Sequence, residues 1–198
     1  MQIIAKILFA VFIMGLAVGP AIADETHEAK MFVASLGYNA IKVLARSELP
    51  KEERTNEFRR ILTAGFDMHL IGRYVLGRYW RRASPVERSE YSALFQEYIV
   101  LTYANQLSQY NGQTLKIKSA REDGEADVIV RSEITQAGGP PIRVDWRVRS
   151  KDETFKVIDV VVEGISMVIT QRDQFASVIE RAGGKVESLL VELRSRTR

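Results

Sequence analysis

The chain has no cysteine, so disulfides and thiolate chemistry play no part in it, and cysteine usage leaves its redox compartment open. Histidine is almost as scarce, with only His27 and His69 present. No grouping of histidine and carboxylates has metal-ligand spacing, so no metal or other cofactor is expected. His69 follows Asp67 by two residues, which puts the pair on different sides of a helix. A hydrolytic Ser-His-Asp set, whose members need not be close in sequence, stays open, but no nucleophile-elbow pattern supports it. Charge of one sign is lacking too: the formal net charge of +3 is spread along 198 residues, which is not a nucleic-acid footprint. There is no internal repeat and no low-complexity segment. Gly138-Gly139-Pro140-Pro141 lacks the strand-loop-helix setting and the lysine of a phosphate loop, so it reads as a turn.

What is present fits one domain with a real core. The apolar fraction is 46% and the charged fraction 27%, both ordinary for a globular protein. Lys6 precedes an apolar run of about twelve residues, 7–18, which suits a signal-peptide core and is short for the roughly 20 of a membrane span. Pro20 breaks that run, and Ala21 and Ala23 offer the small residues a signal peptidase inspects. The expectation is a signal peptide over residues 1–23, cut between Ala23 and Asp24, and a single exported domain over 24–198. An uncleaved anchor is the rival.

Residues 26–47 have helical spacing, with Phe32, Leu36, Ala40, Val43 and Leu44 on one face. After Pro50, with Glu52 and Glu53 at its positive end, a second helix carries Phe58, Ile61, Leu62, Phe66 and Leu70. Residues 71–82 hold Gly72 and Gly77, which predict short helical pieces or a bend. Ser84-Pro85-Val86-Glu87 is a capping box opening a helix to about Tyr110. That helix buries Tyr91, Leu94, Phe95, Tyr98, Leu101 and Leu107, and Asn111-Gly112 stops it. Strands follow over 115–120, 126–135, 143–149 and 155–163, joined by short turns. Two more helices, 165–179 and 185–194, are separated by Gly183-Gly184. The fold class is α+β, with a four-stranded antiparallel sheet.

In the third strand Val144, Trp146 and Val148 alternate with Asp145, Arg147 and Arg149. The fourth is apolar on both sides, Phe155, Val157 and Val161 against Ile158, Val160 and Val162. Such a strand needs cover on both faces, and one face has room to line a cavity. The bland alternative is a solid core. The run Arg73-Tyr74-Val75-Leu76-Gly77-Arg78-Tyr79-Trp80-Arg81-Arg82 also fits three readings: core aromatics among solvated arginines, a contact for headgroups or a partner, or a nucleic-acid patch, which an exported protein has little use for.

Gly65-Phe66-Asp67 followed by residues 73–81 resembles the F-D … R-x-V-L-G-x-x-W segment of the MlaC (toluene-tolerance) family of periplasmic phospholipid-binding proteins. Asp145-Trp146-Arg147-Val148, residues 156–166 and Gln174-Phe175 are similar to that family's V-D-Y-R-x, K-V-x-D-V-V-V-E-G-V-S and Q-F segments, in order and with similar spacing. Trp146 stands where the family often has tyrosine. A hopanoid-associated branch shares the pattern.

The resemblance implies a twisted antiparallel sheet wrapped by helices around a deep apolar cavity that takes acyl chains. It implies a lipid carrier, not an enzyme, shuttling phospholipid or a hopanoid-type lipid. The partners it implies are an outer-membrane lipoprotein complex and an inner-membrane ABC transporter with an MCE-domain subunit. On this reading Val130, Val144, Trp146, Val148 and Val160 line the cavity from the sheet. Phe66, Leu70, Tyr74, Leu94, Tyr98 and Tyr103 close it from the helices, and Arg73, Arg78 and Arg147 meet headgroups or a partner at the mouth. Two other readings stand beside it. An exported enzyme for a small apolar substrate needs an acid-base group inside, for which Asp67, Asp159 and Glu163 are the candidates. A periplasmic adaptor needs only a solid core.

Overall fold

The computed structural model describes residues 22–46, 48–107, 112–135, 138–151 and 154–198. Most of the expected leader, residues 1–21, and the expected end of the long helix at Tyr110 and Asn111 lie outside these. Helix α1 (Ile22–Leu44) is followed by α2 (Lys51–Gly65), which starts after Pro50 with Glu52 and Glu53 in its first turn. At Phe66 the chain becomes extended and bridges to Val157, and the Asp67 N–H donates to the Val157 carbonyl at 3.0 Å. The Asp67 carboxylate then accepts from the Leu70 N–H at 2.8 Å, capping a new helix, α3 (Met68–Leu76).

The expected bend in 71–82 falls at Gly77, whose φ of +56° suits glycine, and α4 (Arg78–Arg82) restarts beyond it. Helix α5 (Pro85–Leu107) begins with the reciprocal cap: the Ser84 N–H donates to Glu87 at 2.8 Å, and the Glu87 N–H to the Ser84 hydroxyl at 3.2 Å. Gly72 stays helical, and its lack of a side chain lets α5 cross close by. A Cβ there would meet Phe95 Cδ1 at 3.1 Å, and the Tyr91 hydroxyl donates to the Gly72 carbonyl at 3.0 Å.

Four long strands follow, β1 (Thr114–Glu122), β2 (Asp127–Thr135), β3 (Ile142–Lys151) and β4 (Thr154–Val162), then the two-residue β5 (Ile165–Ser166). They pair antiparallel in chain order, the meander that short turns allow. α6 (Met167–Arg181) and α7 (Val186–Arg196) return against α5 and α3. There Tyr91 stacks on Phe95 at 5.6 Å, and Phe175 meets both edge-on at 6.4 and 6.3 Å. Ile179, Leu189, Leu190 and Leu193 complete a solid helical core.

The sheet has one solvated and one covered face. The solvated face carries ion pairs: Arg131 to Asp145 at 3.2 Å, Arg147 to Asp123 at 2.8 Å and Arg149 to Asp127 at 2.7 Å. The covered face is a series of rungs across β2, β3 and β4. Val128, Val148 and Val157 form one, Val130, Trp146 and Val160 the next, and Ser132, Val144 and Val162 the third. This corrects the simple alternation read for β4. A register shift between Arg147 and Val148 inserts Ile158 as an extra residue, so Phe155, Val157, Val160 and Val162 all share the covered face.

Candidate functional site: an apolar cavity between sheet and helices

Across the first rung, α1 lays Ala29 and Val33 directly on Val128, Val130, Val148 and Val157, with Phe32 against Phe155 at 5.9 Å. Beyond Trp146 that packing stops. A cavity of about 280 Å3 opens over Ile134, Val144, Trp146, Val160 and Val162. α1 contributes Leu36, Gly37 and Ala40 to its wall, and α2 contributes Phe58, Ile61 and Leu62. Phe66, then Met68, Ile71 and Val75 of α3, and Phe95, Ile99 and Tyr103 of α5 close the far side. Met167, Val168 and Gln171 come from the start of α6.

Polar groups are few. Asp159 is among the lining residues, and its carboxylate is committed: the Ser166 hydroxyl donates to it at 2.6 Å and the Val168 N–H at 3.2 Å. The Ser166 hydroxyl in turn accepts from the Ile169 N–H at 3.1 Å, so aspartate and serine together hold the first turn of α6. Burial, with smaller contributions from Tyr98 and from Asp159, pushes the Tyr103 phenol above its usual range, and it remains a neutral hydroxyl. Among the described residues no histidine and no lysine lines the cavity. Among the described residues of the lining no nucleophile is paired with a base, and a wall this apolar is suited to holding apolar matter. Among the described residues no cluster of side chains fits a metal ion.

Of the residues expected to line a cavity, Phe66, Tyr103, Val144, Trp146 and Val160 do. Leu70, Tyr74, Leu94, Tyr98, Val130 and Val148 do not. Val130 and Val148 are on the correct face but at the end filled by α1. Leu70 and Tyr74 continue the stripe of α2, whereas the new cap at Asp67 resets the phase and turns Ile71 and Val75 inward. Tyr74 is instead 41% exposed. Leu94 and Tyr98 face α6 and α7, with Tyr98 5.7 Å from Phe175.

None of the three arginines expected at the mouth is among the lining residues. Arg147 lies on the solvated sheet face, Arg78 pairs with Glu180, and the Arg73 guanidinium sits 5.7 Å from the Trp80 ring centre. The enzymatic candidates have structural roles as well: Asp67 caps α3, and the exposed Glu163 accepts from the Arg143 N–H. His69 is exposed on α3, edge-on to Trp80 at 5.7 Å. Among the lining residues not anticipated are Leu36, Ala40, Phe58, Ile61, Leu62 and Phe95, which helical spacing marks as core.

Fold and cavity together define an α+β domain with a hollow, apolar interior. The model of the MlaC protein family matches residues 38–195, and the chain belongs to that family. It is 30% identical over 131 residues to the intermembrane phospholipid transport system binding protein MlaC of Haemophilus influenzae, covering 64% of this chain and 60% of that protein. It is 26% identical over 132 residues to the toluene tolerance protein ttg2D of Pseudomonas putida, covering 66% of this chain and 61% of that one. The chain thus spans about three fifths of the length of these relatives. A solved structure of a phospholipid-binding protein from Ralstonia solanacearum, in complex with a phospholipid, superposes with a TM-score of 0.75 at 25% identity, covering 85% of this chain and 96% of that one.

Proposed function

We propose that the chain is a periplasmic phospholipid carrier, with residues 1–23 removed on export, and that its cavity shelters acyl chains in transit between membranes. The observation that carries this reading is the apolar cavity itself, on a fold shared with a protein solved around a phospholipid. Energetics give the reason for such a chamber. At about 0.8 kcal/mol per methylene, two long acyl chains face a cost on the order of 20 kcal/mol against leaving a bilayer for water. No surface patch offsets that, whereas a dry pocket does.

Phe66, Tyr103, Val144, Trp146 and Val160 contact the chains, joined by Ile71, Val75, Ile99 and Val162. An outer-membrane lipoprotein complex and an inner-membrane ABC transporter with an MCE-domain subunit deliver and receive the cargo. Phospholipid is the cargo favoured by the names of the relatives, with a hopanoid-type lipid as the related case. The solid-core adaptor is disfavoured by the cavity, and the enzyme by the commitment of Asp159 to α6. Among the described residues no helix is long and apolar enough to cross a membrane. Organic extraction of the purified protein, followed by mass spectrometry, tests the proposal: phospholipid in the extract supports it, and a lipid-free extract contradicts it. N-terminal mass analysis tests export, since retention of Met1 would end the signal-peptide assignment.

A further inference from the structure

We infer that Trp146, pinned by Ser132, is the end stop that sets how long an acyl chain the cavity accepts; this rests on the lipid-carrier reading above. Trp146 stands on the middle rung of the covered face, between Val130 and Val160. To one side, the rung of Val128, Val148 and Val157 is filled by Ala29 and Val33 of α1. To the other, Val144 and Val162 border open space. The indole is therefore the partition between the solid and hollow parts of the same face. A chain that runs along the sheet toward the solid end must stop against it.

Its orientation is held by two hydrogen bonds. The Trp146 Nε1–H donates to the Ser132 hydroxyl oxygen at 2.9 Å, one rung over, and the Ser132 hydroxyl donates to the Val144 carbonyl at 2.9 Å. The ring thus leans across the third rung toward the hollow side. Ser132 is 0% exposed and absent from the lining, although its register places it on the cavity face. An indole N–H in such a place needs an acceptor, and the serine supplies one while limiting the swing of the ring. Tryptophan is the largest side chain on the lining, and only one is present there. Ligand pockets commonly run to about 300–1,000 Å3, so in a space of about 280 Å3 the volume of one indole decides which chains fit.

The test uses the full exported protein, equilibrated with vesicles containing equal amounts of phosphatidylethanolamines bearing myristoyl, palmitoyl and stearoyl chains. The protein is re-isolated and its bound lipid analysed by mass spectrometry. Trp146→Ala is expected to raise the bound stearoyl-to-myristoyl ratio about tenfold over wild type, the scale of about two methylenes moved into or out of an apolar site. Ser132→Ala leaves the indole but removes its anchor. It is expected to move the ratio the same way by about twofold to threefold, the scale of one hydrogen bond. Ser132→Ala also serves if Trp146→Ala does not fold. A folded, loaded variant whose chain-length ratio equals that of wild type overturns this inference alone. Wild-type protein that takes up none of the lipids overturns the carrier reading, and this inference with it.

Discussion

The two halves of the covered sheet face have the same kind of sequence and opposite contents. Val128, Val130, Val148 and Val157 are 0 to 1% exposed beneath α1, whereas Val160 and Val162, on the same face of the same sheet, look into open space. Alternating apolar residues determine which face of a strand leaves water, but not what covers it. Here the small Ala29 and the β-branched Val33 let α1 lie flat on one half. Over the other half the facing helices are held off: Phe66 is tied to the sheet edge at Val157, and Asp159 anchors the start of α6. Space remains where no side chain was supplied to fill it.

That contrast can be broken by placing the same charge in each half. Val148→Asp puts a carboxylate in the packed half with no partner, and a loss of about 4 kcal/mol or more is expected by urea denaturation, enough to leave much of the protein unfolded. Val160→Glu has room to point into the cavity. It is expected to cost about 1 kcal/mol in the same assay, while co-purified lipid falls about tenfold or more because the chains meet a charge. Equal stability losses in the two variants would show that the halves are packed alike.

The solid helical core gives a third region against which to sharpen the comparison. Burial holds the Tyr91 phenol well above its usual range, and its hydroxyl donates to the Gly72 carbonyl. Tyr91→Phe should therefore cost about 1 kcal/mol, the worth of one buried hydrogen bond. The pH dependence follows from the same burial. Above about pH 10 the unfolded chain releases this proton while the folded chain keeps it, so stability is intact below that value and falls as the pH rises. Stability profiles of wild type and Tyr91→Phe between neutral and strongly alkaline pH should differ by this drop, which the variant lacks. Smallest is the effect of Ser84→Ala at the start of α5, expected near 1 kcal/mol or less by thermal denaturation, with lipid load unchanged because the cap lies off the cavity wall.

Local chemistry made much of the fold legible before any coordinates. The capping box at Ser84, the break in 71–82, and the meander of four long strands each rest on a few neighbouring residues with a defined backbone preference. The site was harder to read because its determinants are not local. An inserted residue at Ile158 changes which valines of β4 share a face, and nothing in the run of apolar residues announces it. The restart at Asp67 depends on a bridge to Val157, a residue far along the chain. The occupancy of Val130 and Val148 depends on α1, near the opposite end of the chain. Arg147 is a different case: its alternation with Trp146 and Val148 already assigned it to the face away from any apolar cavity. Asp159 was seen as an acid in a candidate pocket, but its role in holding α6 required the positions of Ser166 and Val168.

The central claim is that the hollow half of the sheet face is where a lipid's tails reside. The most direct measurement is the phosphorus and fatty-acid content of an organic extract from protein purified without detergent. The account predicts phospholipid in near-stoichiometric amount. Protein that is folded, exported and free of extractable lipid would contradict it.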